Sequence, residues 1–192
     1  MDTLEKVYAD IVADPENKQY TEKHWKPLYT ADPSARIMIV GQAPGHVAQE
    51  SMIPWDDKSG DNLRSWLRIS RETFYNKSIV SLIPMDFYFP GSKEKHDAPP
   101  RKGFAGKWHP RLLTLMPHIQ LTILIGQYSQ GYYLKDRAKR TLTETVRAYK
   151  EYLPEYLPLV HPSPRNNIWQ KKNPWFKEEL LPELQRYIGE LL

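Results

Sequence analysis

With 192 residues and no cysteine, the chain has the length of one domain that builds its core without staples, and it excludes disulfides, thiolate zinc sites, iron–sulfur clusters and cysteine catalysis. A formal charge of +4 and a pI near 9.1 lean toward polyanionic partners without establishing them, because many ordinary enzymes are as basic. The opening "MDTLEKVYADIV" lacks the basic stretch and apolar core of a signal peptide, and no apolar run reaches membrane-spanning length; a cytoplasmic monomer with no membrane contact is the expectation.

In chain order, residues 1–12 read as a helix with Leu4, Val7, Tyr8 and Ile11 on one face, followed by a polar connection to about Ala35. "RIMIV" (36–40) is too short and too uniformly apolar for an amphipathic helix and reads as a buried strand. "SGDNLRSWLRI" (59–69) is a helix capped by Ser59, with Leu63, Trp66, Leu67 and Ile69 mostly on one side. "SIVSLI" (78–83) is a second strand, stopped by Pro84. Residues 85–103, rich in Pro, Gly and alternating charge, form a long exposed loop of the kind compact domains use for function or movement. "HPRLLTLM" (109–116) is a short helix, "LTILIG" (121–126) a third strand, and "SQGYYLKDR" and "TLTETVRAYKEY" are two further helices. "YLPLV" (156–160) is the fourth strand, lying near an edge or starting late because Pro158 has no N–H to give a neighbour. Residues 173–192 close as a helix that starts at Pro174 and bends or breaks at Pro182.

Apolar strands alternating with helices predict an α/β fold: a three-layer α/β/α sandwich around a central, mainly parallel four-stranded sheet. One domain spans 1–192, with 1–35 as an N-terminal helix and connection. Ligands of such sheets bind beyond the carboxyl ends of the strands, where "VGQAPG" and "VHPSPRNN" both lie.

Common site motifs are absent. "VGQAPG" has neither the three glycines of a dinucleotide fingerprint nor the Gly-Lys-Ser/Thr of a P-loop, and Pro44 removes an N–H that a phosphate cradle would use. The histidines, at 24, 46, 96, 109, 118 and 161, include no i,i+4 pair, so no metal site is expected. No G-x-S-x-G elbow supports serine hydrolysis. Six tryptophans and twelve tyrosines among lysines and arginines suit stacking on bases, although most such rings serve as core.

Three stretches stand in order at strand exits: "GQAPG" after the first strand, "IPWDDKSGD" about ten residues on, and "HPSPRNN" after the last. This ordered set resembles the uracil-DNA glycosylase superfamily, from about Arg36 to the C-terminus. It is most similar to bacterial branches whose first motif reads Gly-Glu-Ala-Pro-Gly or Gly-Leu-Ala-Pro-Ala. Those branches commonly hold an iron–sulfur cluster on four cysteines; this chain has no cysteine, and no cofactor is expected.

The resemblance implies a DNA glycosylase that flips a deaminated base, uracil first, out of the helix and hydrolyses its N-glycosidic bond. The partner is DNA carrying a damaged base. Bond cleavage develops positive charge on the sugar and negative charge on the base, which calls for a donor near the base oxygen, a carboxylate or positioned water near the sugar, and an aromatic platform. By resemblance, His161 is the donor and Trp55 the ring beneath the flipped base. Gly41, Gln42, Ala43, Pro44 and Gly45 form the pocket floor. Ser163 contacts a phosphate, while Pro164, Arg165 and Asn166 lie where the family inserts a wedge into the duplex.

The chain departs from the family pattern at several positions. Where relatives position water with Asp or Asn, this chain has Ala43; Asp57, with Asp56 beside it, is the nearest carboxylate counterpart. Asp57 stands either as water-positioning base, as oxocarbenium stabiliser, or as a solvated turn residue, and Asp61 as a first-turn residue of the helix. Ser81 aligns with the family's base-reading asparagine but offers no paired amide contact. Gly45 replaces a tyrosine that excludes thymine. Lys93, Lys95, Arg101 and Lys102 place charge on the proposed DNA side. No lysine at a motif position suggests lyase chemistry, so the expected enzyme is monofunctional. Two other readings remain open: a catalytically silent nucleic-acid-binding relative, and an enzyme acting on free nucleosides or nucleotides.

Overall fold

Four apolar runs lie side by side in the computed structural model, which describes residues 2–93 and 96–192. In chain order the strands are β1 (Ile37–Val40), β2 (Val80–Leu82), the two-residue β3 (Ser92–Lys93) and β4 (His96–Asp97), β5 (Leu121–Ile125) and β6 (Tyr156–Leu159). β1, β2, β5 and β6 form one parallel sheet in the order β2-β1-β5-β6, whereas β3 and β4 pair antiparallel as a separate hairpin. Pro158 indeed sits on an edge strand, where its missing donor costs no ladder bond.

The helices are α1 (Leu4–Ala13), α2 (Lys18–Thr21), α3 (His46–Ser51), α4 (Lys58–Leu67), α5 (Arg71–Tyr75), α6 (Phe104–Thr114), α7 (Gly126–Leu134), α8 (Leu142–Arg147), α9 (Asn167–Lys172) and α10 (Leu181–Leu191). Because strand side chains alternate, the sheet serves two cores. Ile37, Ile39, Ile123 and Leu157 meet Leu63 and Leu67 of α4, Val146 of α8, and Leu184 and Ile188 of α10. Met38, Val40 and Leu124 meet Val7 and Ile11 of α1, Trp108 and Leu112 of α6, and Leu134 of α7. Helices therefore cover both faces, in the three-layer order that the alternation predicts.

Several expectations need correction. The cap of α4 is Asp57, whose Oδ1 accepts from Gly60 N–H at 2.8 Å; Ser59 is buried in the first turn. α6 begins at Phe104 and runs through Pro110. α10 does not break at Pro182: the preceding turn, Phe176–Leu180, widens to i→i+5 pairing, which accommodates a residue with no N–H. The stretch 85–103 is not uniformly exposed, since Met85, Asp86, Phe87, Tyr88 and Phe89 are buried. Lys95 lies outside the described residues.

The strand order positions the site. β1 and β6 are separated only by β5, so at about 4.8 Å per strand their exits stand roughly 10 Å apart on the same rim. β5 itself ends at Ile125, and the next residue, Gly126, has a φ of +82° that lets α7 begin at once. No helix among the described residues is long and apolar enough to cross a membrane.

Candidate active site

A cavity of about 460 Å³ opens beyond the carboxyl ends of the strands. The turn after β1 supplies one wall through Gly41, Gln42, Ala43, Pro44 and Gly45; Trp55 and Asp57 supply a second; Pro84, Asp97 and His161 complete it. A wider hollow of about 740 Å³ lies over α8 beside Trp175, away from every strand exit. Its cations are already paired, Lys139 with Glu151, Arg140 with Glu144 and Arg147 with Glu179, so it offers no free charge to an anionic ligand.

Trp55 is held in an unusual conformation. Its φ of +59° is costly for a bulky residue, and the surrounding structure maintains it. Arg64, buried on α4, donates from Nη1 to the Trp55 carbonyl at 3.1 Å and from Nη2 to Asp61 at 2.7 Å. Tyr75 donates its hydroxyl to the Pro54 carbonyl at 2.8 Å. Two glycines make room: a Cβ on Gly60 would stand 1.7 Å from the Trp55 carbonyl oxygen, and one on Gly41 would stand 2.9 Å from the indole edge. The indole thus lies across Gly41, and its centroid is 5.7 Å from that of His161.

His161 leaves the end of β6 in a braced loop. Asn166 donates to the His161 carbonyl at 2.7 Å, and Asn62 of α4 donates to the Pro162 carbonyl at 2.9 Å. The Ser163 backbone N–H lies 3.2 Å from His161 Nδ1. An N–H can only donate, so Nδ1 accepts, and this assigns the proton of the neutral ring to Nε2. The ring is reachable by water because the cavity is open, yet protein crowds around it. That loss of hydration lowers its pKa below the usual 6.5, while Asp57 and then Asp97 pull it partly back up. The result is a neutral imidazole with one N–H left to donate.

The carboxylates around the cavity have different attachments. Asp56 pairs with Arg71 at 2.8 Å, and Asp61 with Arg64. Asp57 has one oxygen committed to capping α4. Asp97 borders the cavity and makes no hydrogen bond or ion pair among the described residues. The sequence reading did not single it out; the available signal was a carboxylate in a long loop following a strand.

Other residues fall as follows. Gln42 directs its amide to the Ala98 carbonyl at 3.0 Å, tying the first turn to the hairpin. The N–H groups of Gln42 and Ala43 find no acceptor among the described residues. Ser163 caps the turn Pro164–Asn166 through Arg165 N–H. Pro164 and Arg165 are exposed beside the cavity loop, whereas the Asn166 amide is occupied as a brace. Ser81 is fully buried, its hydroxyl without a partner among the described residues, and it does not border the cavity; the next residue, Leu82, does. The alignment that singled out Ser81 falls one residue short of the cavity wall, because side chains on successive strand positions face opposite layers. Arg101 is likewise not free for phosphate: it forks onto buried Asp86 with Nε–Oδ2 and Nη2–Oδ1 distances of 2.8 Å. Lys93 and Lys102 are exposed. No group of three His, Asp or Glu among the described residues could hold a metal ion.

His109 is a second supporting residue missed from sequence. Buried between Tyr133 Oη at 2.7 Å and the Pro84 carbonyl at 3.0 Å, it anchors a residue of the cavity wall. Burial holds its pKa down at about 4.

Residues 28–185 match the family model described as "Uracil DNA glycosylase superfamily", a span that takes in the whole parallel sheet, the cavity and both motif turns.

Proposed function

Since the chain belongs to the uracil DNA glycosylase superfamily, we propose that it hydrolyses the N-glycosidic bond of uracil, or of another deaminated base, flipped from DNA. The observation that carries this reading is the cavity-facing pair of Trp55 and a His161 whose only available proton is on Nε2. A flat base stacks on the indole, and the imidazole N–H donates to the base oxygen that gains charge as the bond breaks. A neutral donor suits this task, because it strengthens its hydrogen bond as charge develops without first binding the base as an ion pair. The cavity volume lies within the range of about 300–1,000 Å³ used for small ligands.

The rest of the machinery follows. The unpaired N–H groups of Gln42 and Ala43 are donors for the base edge. The braced loop from Pro162 to Asn166 presents exposed Arg165 to the duplex, where stiffness reduces the entropy lost on insertion. With no Ser81 contact, base identity is read by backbone groups and cavity shape. The enzyme is monofunctional and leaves an abasic site.

The test is an activity panel on labelled duplexes carrying uracil, hypoxanthine, xanthine or hydroxymethyluracil. Base release giving strands that break only after alkali, and that falls steeply with added salt, supports the reading. Duplex binding with no base released even at excess enzyme identifies a silent relative; release from free nucleosides with no salt dependence identifies the other class.

A further inference from the structure

Hydrolysis requires a base for a proton of the attacking water, and the turn after β1 supplies no carboxylate: Ala43 has no polar side-chain atom and Gln42 carries only an amide. Asp56, Asp57 and Asp97 border the cavity. Asp56 is neutralised by Arg71, and Asp57 is shared with the N-terminus of α4. Asp97 has both oxygens available among the described residues, and its backbone is held. It pairs with Ser92 in the hairpin, while the next residue, Ala98, donates to the Gly91 carbonyl at 2.8 Å and accepts from the Gln42 amide at 3.0 Å. The carboxylate lies next to the turn after β1: a Cβ on Gly45 would stand 3.7 Å from Asp97 Oδ2, an ordinary contact distance.

Their attachments separate Asp57 from Asp97. Water must reach C1′ from the face opposite the departing base, and His161 marks the base side. Asp57 is tied to the first turn of α4 through Gly60 N–H, whereas Asp97 Oδ2 lies beside Gly45 in the turn after β1.

We infer that Asp97 is the catalytic carboxylate that positions and deprotonates the attacking water, a role that rests on the glycosylase reading above. In the step, the water oxygen bonds to C1′ as the C1′–N bond breaks. The bonding pair leaves with the base, whose oxygen is held by His161 Nε2–H, and the water proton passes to an Asp97 oxygen before release to solvent.

The experiment compares single-turnover base release and duplex affinity for wild type, Asp97→Asn, Asp97→Glu and Asp57→Ser, on whichever duplex of the panel wild type processes. Asp97→Asn is expected to slow release by about a hundredfold or more while duplex affinity stays within about threefold, as general-base loss implies. Asp97→Glu recovers part of the rate. Asp57→Ser, which keeps an acceptor for the Gly60 N–H, slows release by less than about tenfold. Asp97→Asn within tenfold of an active wild type overturns the inference alone. A wild type that releases no base from any duplex overturns the glycosylase reading, and the inference with it.

Discussion

The Ser163 backbone N–H lies 3.2 Å from His161 Nδ1, and this one contact decides which face of the imidazole can act. Rotating the ring would break it and remove the Nε2 proton from the cavity. The loop is braced at its start, where Asn166 holds the His161 carbonyl and Asn62 the Pro162 carbonyl, so the orientation is inherited from α4 and the turn after β6 together.

The first prediction is a pH profile. Burial holds the His161 pKa below 6.5, and the neutral ring is the active donor. Base release is therefore expected to stay level as pH falls past 6.5 and to decline only at lower pH, once the ring binds its second proton. His161→Gln keeps an N–H donor that does not titrate, and moves the decline to still lower pH. Single-turnover rates across pH 4 to 8 check this.

A second prediction concerns the platform. In Gly60→Ala the new methyl meets the Trp55 carbonyl, so either the turn or α4 must shift. Overpacking of this kind costs about 1–3 kcal/mol, read from urea denaturation, and base release falls because the indole moves. Gly41→Ala presses only on the indole edge and lowers activity with a smaller loss of stability.

Arg101 separates a structural ion pair from a DNA contact. Asp86 is completely buried, and Arg101 also bonds Asn17 Oδ1 at 2.8 Å. Arg101→Ala leaves that carboxylate uncompensated and is expected to cost about 3–5 kcal/mol. Adding Asp86→Asn restores part of the loss. Denaturant midpoints for the two variants measure it.

His109 gives stability its own pH dependence. Its folded pKa of about 4 lies below the ordinary 6.5, so the unfolded chain binds the proton more readily. The contribution is full above pH 6.5 and is lost as pH falls toward 4, amounting to about 3 kcal/mol at about 1.4 kcal/mol per unit. His109→Gln removes this part of the slope, as urea midpoints measured at several pH values will show.

Much of this architecture is legible in the sequence for identifiable reasons. The four sheet strands are mostly apolar runs between turn residues, interrupted only by Ser81 and Thr122, and their alternation with helices fixes the layers. α3, α5 and α9 are too short for helical periodicity to show. The order β2-β1-β5-β6, which brings Trp55 to His161 across 106 positions, is a tertiary property that the motifs point to only through resemblance. Asp86 with Arg101, and Asp97 with the cavity, are likewise long-range meetings inside a stretch whose composition reads as an exposed loop. Ser59 yields the cap to Asp57 because both residue types suit that position and only the backbone decides between them.

The most direct measurement is release of free uracil from a duplex with a single uracil, at pH 7.5 and enzyme in excess, for wild type and His161→Ala side by side. The account predicts release by wild type and a rate about a hundredfold to a thousandfold lower for the variant, the effect of removing one donor to a developing oxyanion, with duplex affinity little changed. Equal rates for the two proteins would contradict it.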